Sequence, residues 1–299
     1  MFISATITCF APLAELVDAR DSKSRSFGSI CSTQIWGTIR IIVKLSKYKR
    51  IIIKVGSAVI ARPNGKVNQK ILSAICNDIL WLRNRKIQVL LVSSGAISLG
   101  RKNIMLPNAL RLSESQALAS HGQIELMAAW KNHFNNNSIN VGQMLLTPAE
   151  LKLKTSSNNA IQTMNKLLEL NLIPIINEND STATDEIKFG DNDLLAAKIA
   201  KLFKANLLIM LSTVEGLYKE KDEIDSDQSL IINKISKIDS KIRKMANDKD
   251  ISGKGGMKSK LLAAEACMQN KCDVVIGSGL HPNPIKRIFK ENTATWFRK

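Results

Sequence analysis

Six short aliphatic runs separated by helix-like stretches constrain this chain more than any other feature. They are "RIIIKVG" (50–56), "IQVLLVSSG" (87–95), "INVGQMLL" (139–146), "LIPIIN" (172–177), "NLLIML" (206–211) and "CDVVIG" (272–277). Near-continuous apolar runs, rather than strict alternation, predict strands covered on both faces of a sheet. Between them "NQKILSAICNDILWLRNR", "SESQALASHGQIELMAAWKNHF", "NNAIQTMNKLLEL" and "DNDLLAAKIAKLF" carry helical spacing. Strand–helix alternation predicts an α/β fold with a mainly parallel sheet. No run approaches the eighteen or so uncharged apolar residues that a spanning helix needs.

Residues 1–47 read differently. "MFISATITCF" is apolar but has no basic n-region, which argues against a secretory signal. "APLAELVDARDSKSRSFGS" has little hydrophobic period and resembles the peptide obtained when a bacterial transfer-RNA gene is translated in frame. The expectation is a non-native or disordered extension over 1–47, with initiation near Val43 or Leu45, and one structured domain over 48–299. Within that domain 219–256 is the most polar stretch and is expected to project from the core.

Charge matters because it is uneven. The chain has 43 Lys+Arg against 26 Asp+Glu, a formal +17. Yet "INENDSTATDEIKFGDND" (176–193) gathers Glu178, Asp180, Asp185, Glu186, Asp191 and Asp193 against Lys188 alone. The lysines of "KIAKLFK", "INKISKIDSKIRK" and "KRIFK" have the spacing of solvated helix faces. With no RGG tract and no aromatic-interleaved basic stripe, the excess reads as compositional, not as a dedicated nucleic-acid surface. Cys9, Cys31, Cys76, Cys267 and Cys272 are scattered without CxxC spacing, and the three His do not join them as zinc ligands. Free thiols in a reducing cytoplasm are expected.

Four turns carry residues suited to phosphate, because helix N-termini after strands offer unpaired N–H groups. "KVGSAVI" places Lys54 at a strand end before Gly56-Ser57, and "VSSGAISLG" places Ser93, Ser94 and Gly95 after the second strand. "FGDNDLLAAK" opens a helix with polar groups, and "ISGKGGMKSKLLAAEA" gives three glycines before Lys258 and Lys260. A strand–Gly–helix turn is also ordinary structural punctuation. Neither the GxxxxGK[ST] nor the GxGxxG motif occurs. The combination suits phosphoryl transfer to a carboxylate. Such a nucleophile is already ionised at neutral pH and needs no general base. What it needs is lysines and backbone N–H groups against the phosphoryl charge, and acids to bind an ammonium group.

"IIIKVGSAVI", "LVSSGAISLGR", "VGQMLLT", "IPIINENDSTATDEIKFGDNDLLAAKIA", "LSTVEGLY" and "GKGGMKSKLLAAEAC" together resemble the amino-acid kinase family, and within it the glutamate 5-kinases. The resemblance runs from about residue 48 to Lys299. It implies a three-layer αβα sandwich with about eight strands, an N-terminal part that binds glutamate and a C-terminal part that binds ATP. The implied reaction is ATP-dependent formation of L-glutamyl 5-phosphate from L-glutamate, the first step of proline biosynthesis, with Mg²⁺.

Carried over by position, Lys54 and Lys260 would be catalytic cations and Asp193 the acid that positions them. Ser94, Asp180, Asp191 and Asn192 would bind substrate. Lys54, Ser212, Thr213 and the run Lys254, Gly255, Gly256, Met257, Lys258, Ser259, Lys260 would contact ATP, with no side-chain metal site. A cytoplasmic homo-oligomer inhibited by proline is a further implication. Two departures stand out. Lys254 takes a place where the family usually has a small residue, so its side chain either adds affinity or points to solvent. The sequence ends at "NTATWFRK", where the kinase domain should close, so a kinase-only form without the PUA domain of many relatives is expected. The competing expectations are an acetylglutamate, aspartate, carbamate or uridylate kinase, or a catalytically silent homologue binding a metabolite or RNA.

Overall fold

A computed structural model describes residues 45–102, 104, 106–107, 109–182, 191–219, 231–247, 256–290 and 293–299. The chain divides after Arg40, and every described residue lies in the unit Ile41–Lys299. Residues 1–44 are therefore outside the description. Leu45 is buried in the core, and Lys47 pairs with Asp273 at 2.8 Å.

In chain order the elements are β1 (Arg50–Val55), α1 (Ser57–Ile60), α2 (Gln69–Arg83), β2 (Gln88–Ser93), α3 (Ala96–Gly100), α4 (Leu112–Asn135) and β3 (Val141–Leu146). There follow α5 (Lys154–Glu169), β4 (Ile173–Glu178), α6 (Asp191–Phe203), β5 (Leu207–Ser212), β6 (Lys234–Ile235), α7 (Ser240–Asn247), α8 (Met257–Gln269), β7 (Asp273–Ser278), α9 (Pro284–Arg287) and β8 (Ala294–Phe297).

The eight strands among the described residues form one sheet in the order β3-β4-β2-β1-β5-β7-β8-β6. β3 through β7 in that order are parallel, β8 runs antiparallel to β7, and β6 runs parallel to β8. All six aliphatic runs became strands; β1, β2, β4, β5 and β7 are covered on both faces as expected, whereas β3 lies at the sheet edge with no residue fully buried. In β1, Ile51, Ile53 and Val55 face a layer holding Ile75 and Ile79 of α2 and Trp130 of α4. Ile52 faces the other layer, with Ile199 and Phe203 of α6 and Leu261 and Ala264 of α8. The result is the expected αβα sandwich.

Part of the polar stretch 219–256 departs from expectation. Over 231–247, Ile235, Ile238, Met245 and Ala246 are buried, so this part joins the sheet edge and the helical layer and does not project. Arg243 of α7 holds the Glu265 carboxylate of α8 with two bonds, at 2.7 and 2.8 Å.

Among the described residues, five helices stop in the same way before a strand. Lys86, Ser138, Asn171, Lys204 and Lys271 adopt positive φ between 54° and 65°. In each case the next residue's N–H donates to a carbonyl five residues back, as in Ile87 to Leu82, Ile139 to Phe134 and Cys272 to Cys267. The pair joined is apolar each time, which is the hydrophobic contact of this helix stop.

Two glycines allow α3 and α4 to touch through their backbones. A Cβ on Gly122 would stand 1.9 Å from the Ala96 carbonyl oxygen, and one on Gly100 would stand 2.0 Å from that of Leu118. Gly122→Ala sets two effects against each other. Helix propensity favours alanine by about 0.5–1 kcal/mol, while overpacking costs about 1–3 kcal/mol. The clash is with backbone that cannot rotate away, so sterics win. The variant is expected to unfold at lower urea concentration than the parent.

Candidate active site

The chain builds strands outward from β1 in one direction, then returns to place β5 on its other side. This reversal opens a crevice at the carboxyl end of β1, where open α/β sheets receive ligands. Lys54 is the last residue of β1 to face the α6 and α8 layer, two positions after Ile52. Backbone bonds align the turns beyond the strands. The Gly56 N–H donates to Leu211 O at 3.0 Å, Ser94 N–H to Val55 O at 3.1 Å and Gly279 N–H to Ser212 O at 2.8 Å. Gly95 has φ +116°, a conformation that only glycine adopts without strain, and it turns β2 sharply into α3.

Residues far apart in sequence meet at this end. Asp193, in the first turn of α6, lies 2.7 Å from Lys54 Nζ through Oδ1 and 3.2 Å from Lys260 Nζ through Oδ2. Ser259 Oγ is 2.7 Å from the same Oδ2 and 2.9 Å from the Gly256 carbonyl. All four residues are buried. Burial by itself would raise the Asp193 pKa. The charge of Lys54, then that of Lys260, outweighs it and holds the carboxyl below the usual carboxylate range. Two ammonium groups thus meet on one buried carboxylate.

Beside the charged cluster lies a row of neutral amides. Asn192 Nδ2 donates to Ser94 Oγ at 3.0 Å and to Asn177 Oδ1 at 2.9 Å. Asn177 Nδ2 donates to Gln123 Oε1 of α4 at 2.8 Å. Trp130 Nε1 of the same helix donates to buried Ser93 Oγ at 2.8 Å. Asp180 is half-buried in a 3-10 turn, Asp180–Thr182, that follows β4 and packs against α4.

Lys54, Asp193 and Lys260 thus come together, as do Ser94 and Asn192. Ser212 ends β5, with Thr213 exposed after it; Gly256 and Met257 open α8, and Lys258 there is exposed. Asp191 begins α6. Asp185, Glu186, Lys254 and Gly255 lie outside the described residues. Gln123, Asn177 and Trp130 were not singled out as site residues, and Ser93, named with the phosphate-suited turn, instead accepts from Trp130. Neither Asn177, which closes the aliphatic run 172–177, nor Gln123, within a long helical stretch, carries a distinct signal in the sequence. No three His, Cys, Asp or Glu among the described residues gather to hold a metal. Both Asp193 oxygens face cations or a hydroxyl, so this carboxylate does not fit a Mg²⁺ ligand.

Asp193→Asn leaves two buried ammonium groups without their anion, which is expected to cost about 3–5 kcal/mol at neutral pH. The folded pKa is depressed, so the contribution is complete above the unfolded value of about 3.9. It is lost as pH falls through the lower folded value. Urea unfolding of parent and variant should therefore show a stability gap at pH 7 that closes in strong acid.

A model described as the amino acid kinase family matches residues 49–278. The glutamate 5-kinase of Pelagibacter ubique is 43% identical over 256 residues, covering 85% of this chain and 69% of the relative. That of Rhizobium etli is 41% identical over 256 residues, covering 85% of this chain and 65% of the relative. The chain thus spans about two thirds of the length of these relatives. Among solved structures, UMP kinase from Ureaplasma parvum aligns with TM-score 0.55 at 17% identity, over 84% of this chain and all of that one. The isopentenyl phosphate kinase of T. acidophilum aligns with TM-score 0.54 at 15% identity, over 83% of this chain and all of that one. These two likenesses concern the fold alone. The family match covers most of the sequence, including Lys54, Asp193 and Lys260, and the chain belongs to the amino acid kinase family.

Proposed function

We propose that this chain transfers the γ-phosphoryl group of ATP to the side-chain carboxylate of L-glutamate, giving ADP and L-glutamyl 5-phosphate, the first step of proline biosynthesis. The observation that carries the reading is the buried carboxylate between two lysines at the crevice beyond β1. The attacking carboxylate is ionised at neutral pH, so the difficulty is repulsion between two anions. Lys54 and Lys260 lower it by meeting the charge that spreads over the transferring phosphoryl oxygens. Asp193 takes no proton; it holds both ammonium groups on one side of the crevice. The first turn of α8 adds backbone N–H groups toward the nucleotide phosphates. Mg²⁺ would enter with ATP on phosphate and water ligands. Ser94 and Asn192 orient the amino acid, and Asp180 and Asp191 meet its ammonium group. Ser212, Thr213 and the segment 254–260 hold the nucleotide.

The acidic segment separates this reading from other substrates of the family. An N-acetylated acceptor has no ammonium for Asp180 to meet, and uridylate would be repelled. The names of the 41–43% identical relatives favour glutamate as well. No helix among the described residues is long and apolar enough to cross a membrane. A cytoplasmic setting, a homo-oligomer and inhibition by proline complete the proposal.

ADP release measured across L-glutamate, N-acetyl-L-glutamate, L-aspartate and UMP tests it, with turnover expected on L-glutamate alone. Lys54→Ala and Lys260→Ala should each lower kcat by about 100-fold or more. Asp180→Ala should act mainly by raising the KM for glutamate. Near-parental turnover in either lysine variant would remove the mechanism. Salt-sensitive RNA binding without ATP turnover would favour the silent homologue.

A further inference from the structure

The hydrogen bonds around Asn177 settle how each amide in the neutral row is turned. Asn177 Oδ1 accepts from Asn192 Nδ2 and from the Glu178 N–H, both at 2.9 Å. Its Nδ2 is the group left to donate, and it donates to Gln123 Oε1. With the oxygen of Gln123 used there, the other arm of the same amide is Nε2, which can only donate. That Nε2 is buried and has no hydrogen-bond partner. Polar groups taken out of water are normally paired, so an orphan donor beside a site is a place for an acceptor atom.

The row also has a direction. It begins at Asn192, adjacent to the lysine-bound Asp193 on α6, and runs through Asn177 to Gln123 on α4. In the transfer proposed above, the reacting carboxylate of the amino acid lies at the lysine end. Its other carboxylate, on the α-carbon, then falls toward the amide end. We propose that Gln123 is a substrate-binding, specificity-determining residue whose Nε2 donates a hydrogen bond to the α-carboxylate of the acceptor amino acid. The assignment rests on the acceptor being an amino acid, as in the function proposed above.

Gln123→Glu tests it, because it preserves size, keeps an oxygen for Asn177 and replaces the donor with an anion. ADP release is measured with L-glutamate and with its α-amide, L-isoglutamine, on the full chain. The KM for L-glutamate should rise about tenfold or more in the variant, with the KM for ATP within about twofold of the parent. The preference for L-glutamate over the α-amide should fall by about tenfold, since a carboxylate at position 123 repels the acid and accepts from the amide. Unchanged KM and preference overturn the proposal. So does a fall in kcat shared equally by both acceptors, which is what a purely structural role gives. Should Gln123→Glu fail to fold, Gln123→Met takes its place. A KM raised for glutamate and not for ATP then supports the role, and an unchanged KM for glutamate overturns it. A parent protein inactive on L-glutamate overturns the function beneath the proposal instead. Calorimetric binding of L-glutamate to parent and variant then decides the role of Gln123, and equal affinities overturn it.

Discussion

One buried carboxylate holds the candidate site together. Asp193 comes from α6, Lys54 from the central strand and Lys260 from α8, and none of the three is near another in sequence. An unpaired charge in such a place would be costly, so each partner makes the position of the others tolerable. The contact therefore does two jobs. It ties the α6 and α8 layer to the sheet, and it leaves two ammonium groups facing one crevice. Lys260 stands in the first turn of α8, where the helix dipole disfavours a cation. Asp193 offsets that disfavour, and a bound phosphate would do so further.

The location follows from topology. β1 lies at the centre of the sheet with β2 and β5 on either side, so the turns after these three strands stand side by side. Continuation of the ladder into Gly56 after β1, Ser94 after β2 and Gly279 after β7, which bonds the end of β5, keeps these strand ends level. The near approach of α3 and α4 through Gly100 and Gly122 accompanies contacts of α4 with two strand ends, Trp130 with Ser93 of β2 and Gln123 with Asn177 of β4. Strands β1, β2 and β4 and helices α4, α6 and α8 each contribute a side chain to the site.

Much of the fold was legible in the sequence because the central strands are buried on both faces and so read as aliphatic runs. β6 and β8 were not legible, being two and four residues long, with β8 antiparallel to β7 and β6 at the sheet edge. The helix stops were hidden for a different reason. Glycine is the usual signal for a left-handed terminator, whereas lysine, serine or asparagine fills it in five places here. Within the site, Lys54, Asp193 and Lys260 were legible as charged residues at strand and helix ends, but only the strand order brings them together. Gln123 and Asn177 looked like ordinary polar residues, since a hydrogen bond between a helix and a strand 54 positions apart leaves no mark on either segment.

A single helical turn divides the site into two kinds of chemistry. Asn192 and Asp193 are neighbours on α6, and successive residues of a helix project about 100° apart. One therefore meets the neutral row of Ser94, Asn177 and Gln123, while the other meets the lysines. A carboxylate about to accept a phosphoryl group needs cations at its reacting end and orientation at the other, and neither half could supply both. Hydrogen bonds among amides have direction and fix geometry without adding charge, whereas ammonium groups add charge with little direction. Placing the two sets on adjacent residues of one helix start sets the distance between them by backbone geometry alone. That distance is what would select the length of the acceptor.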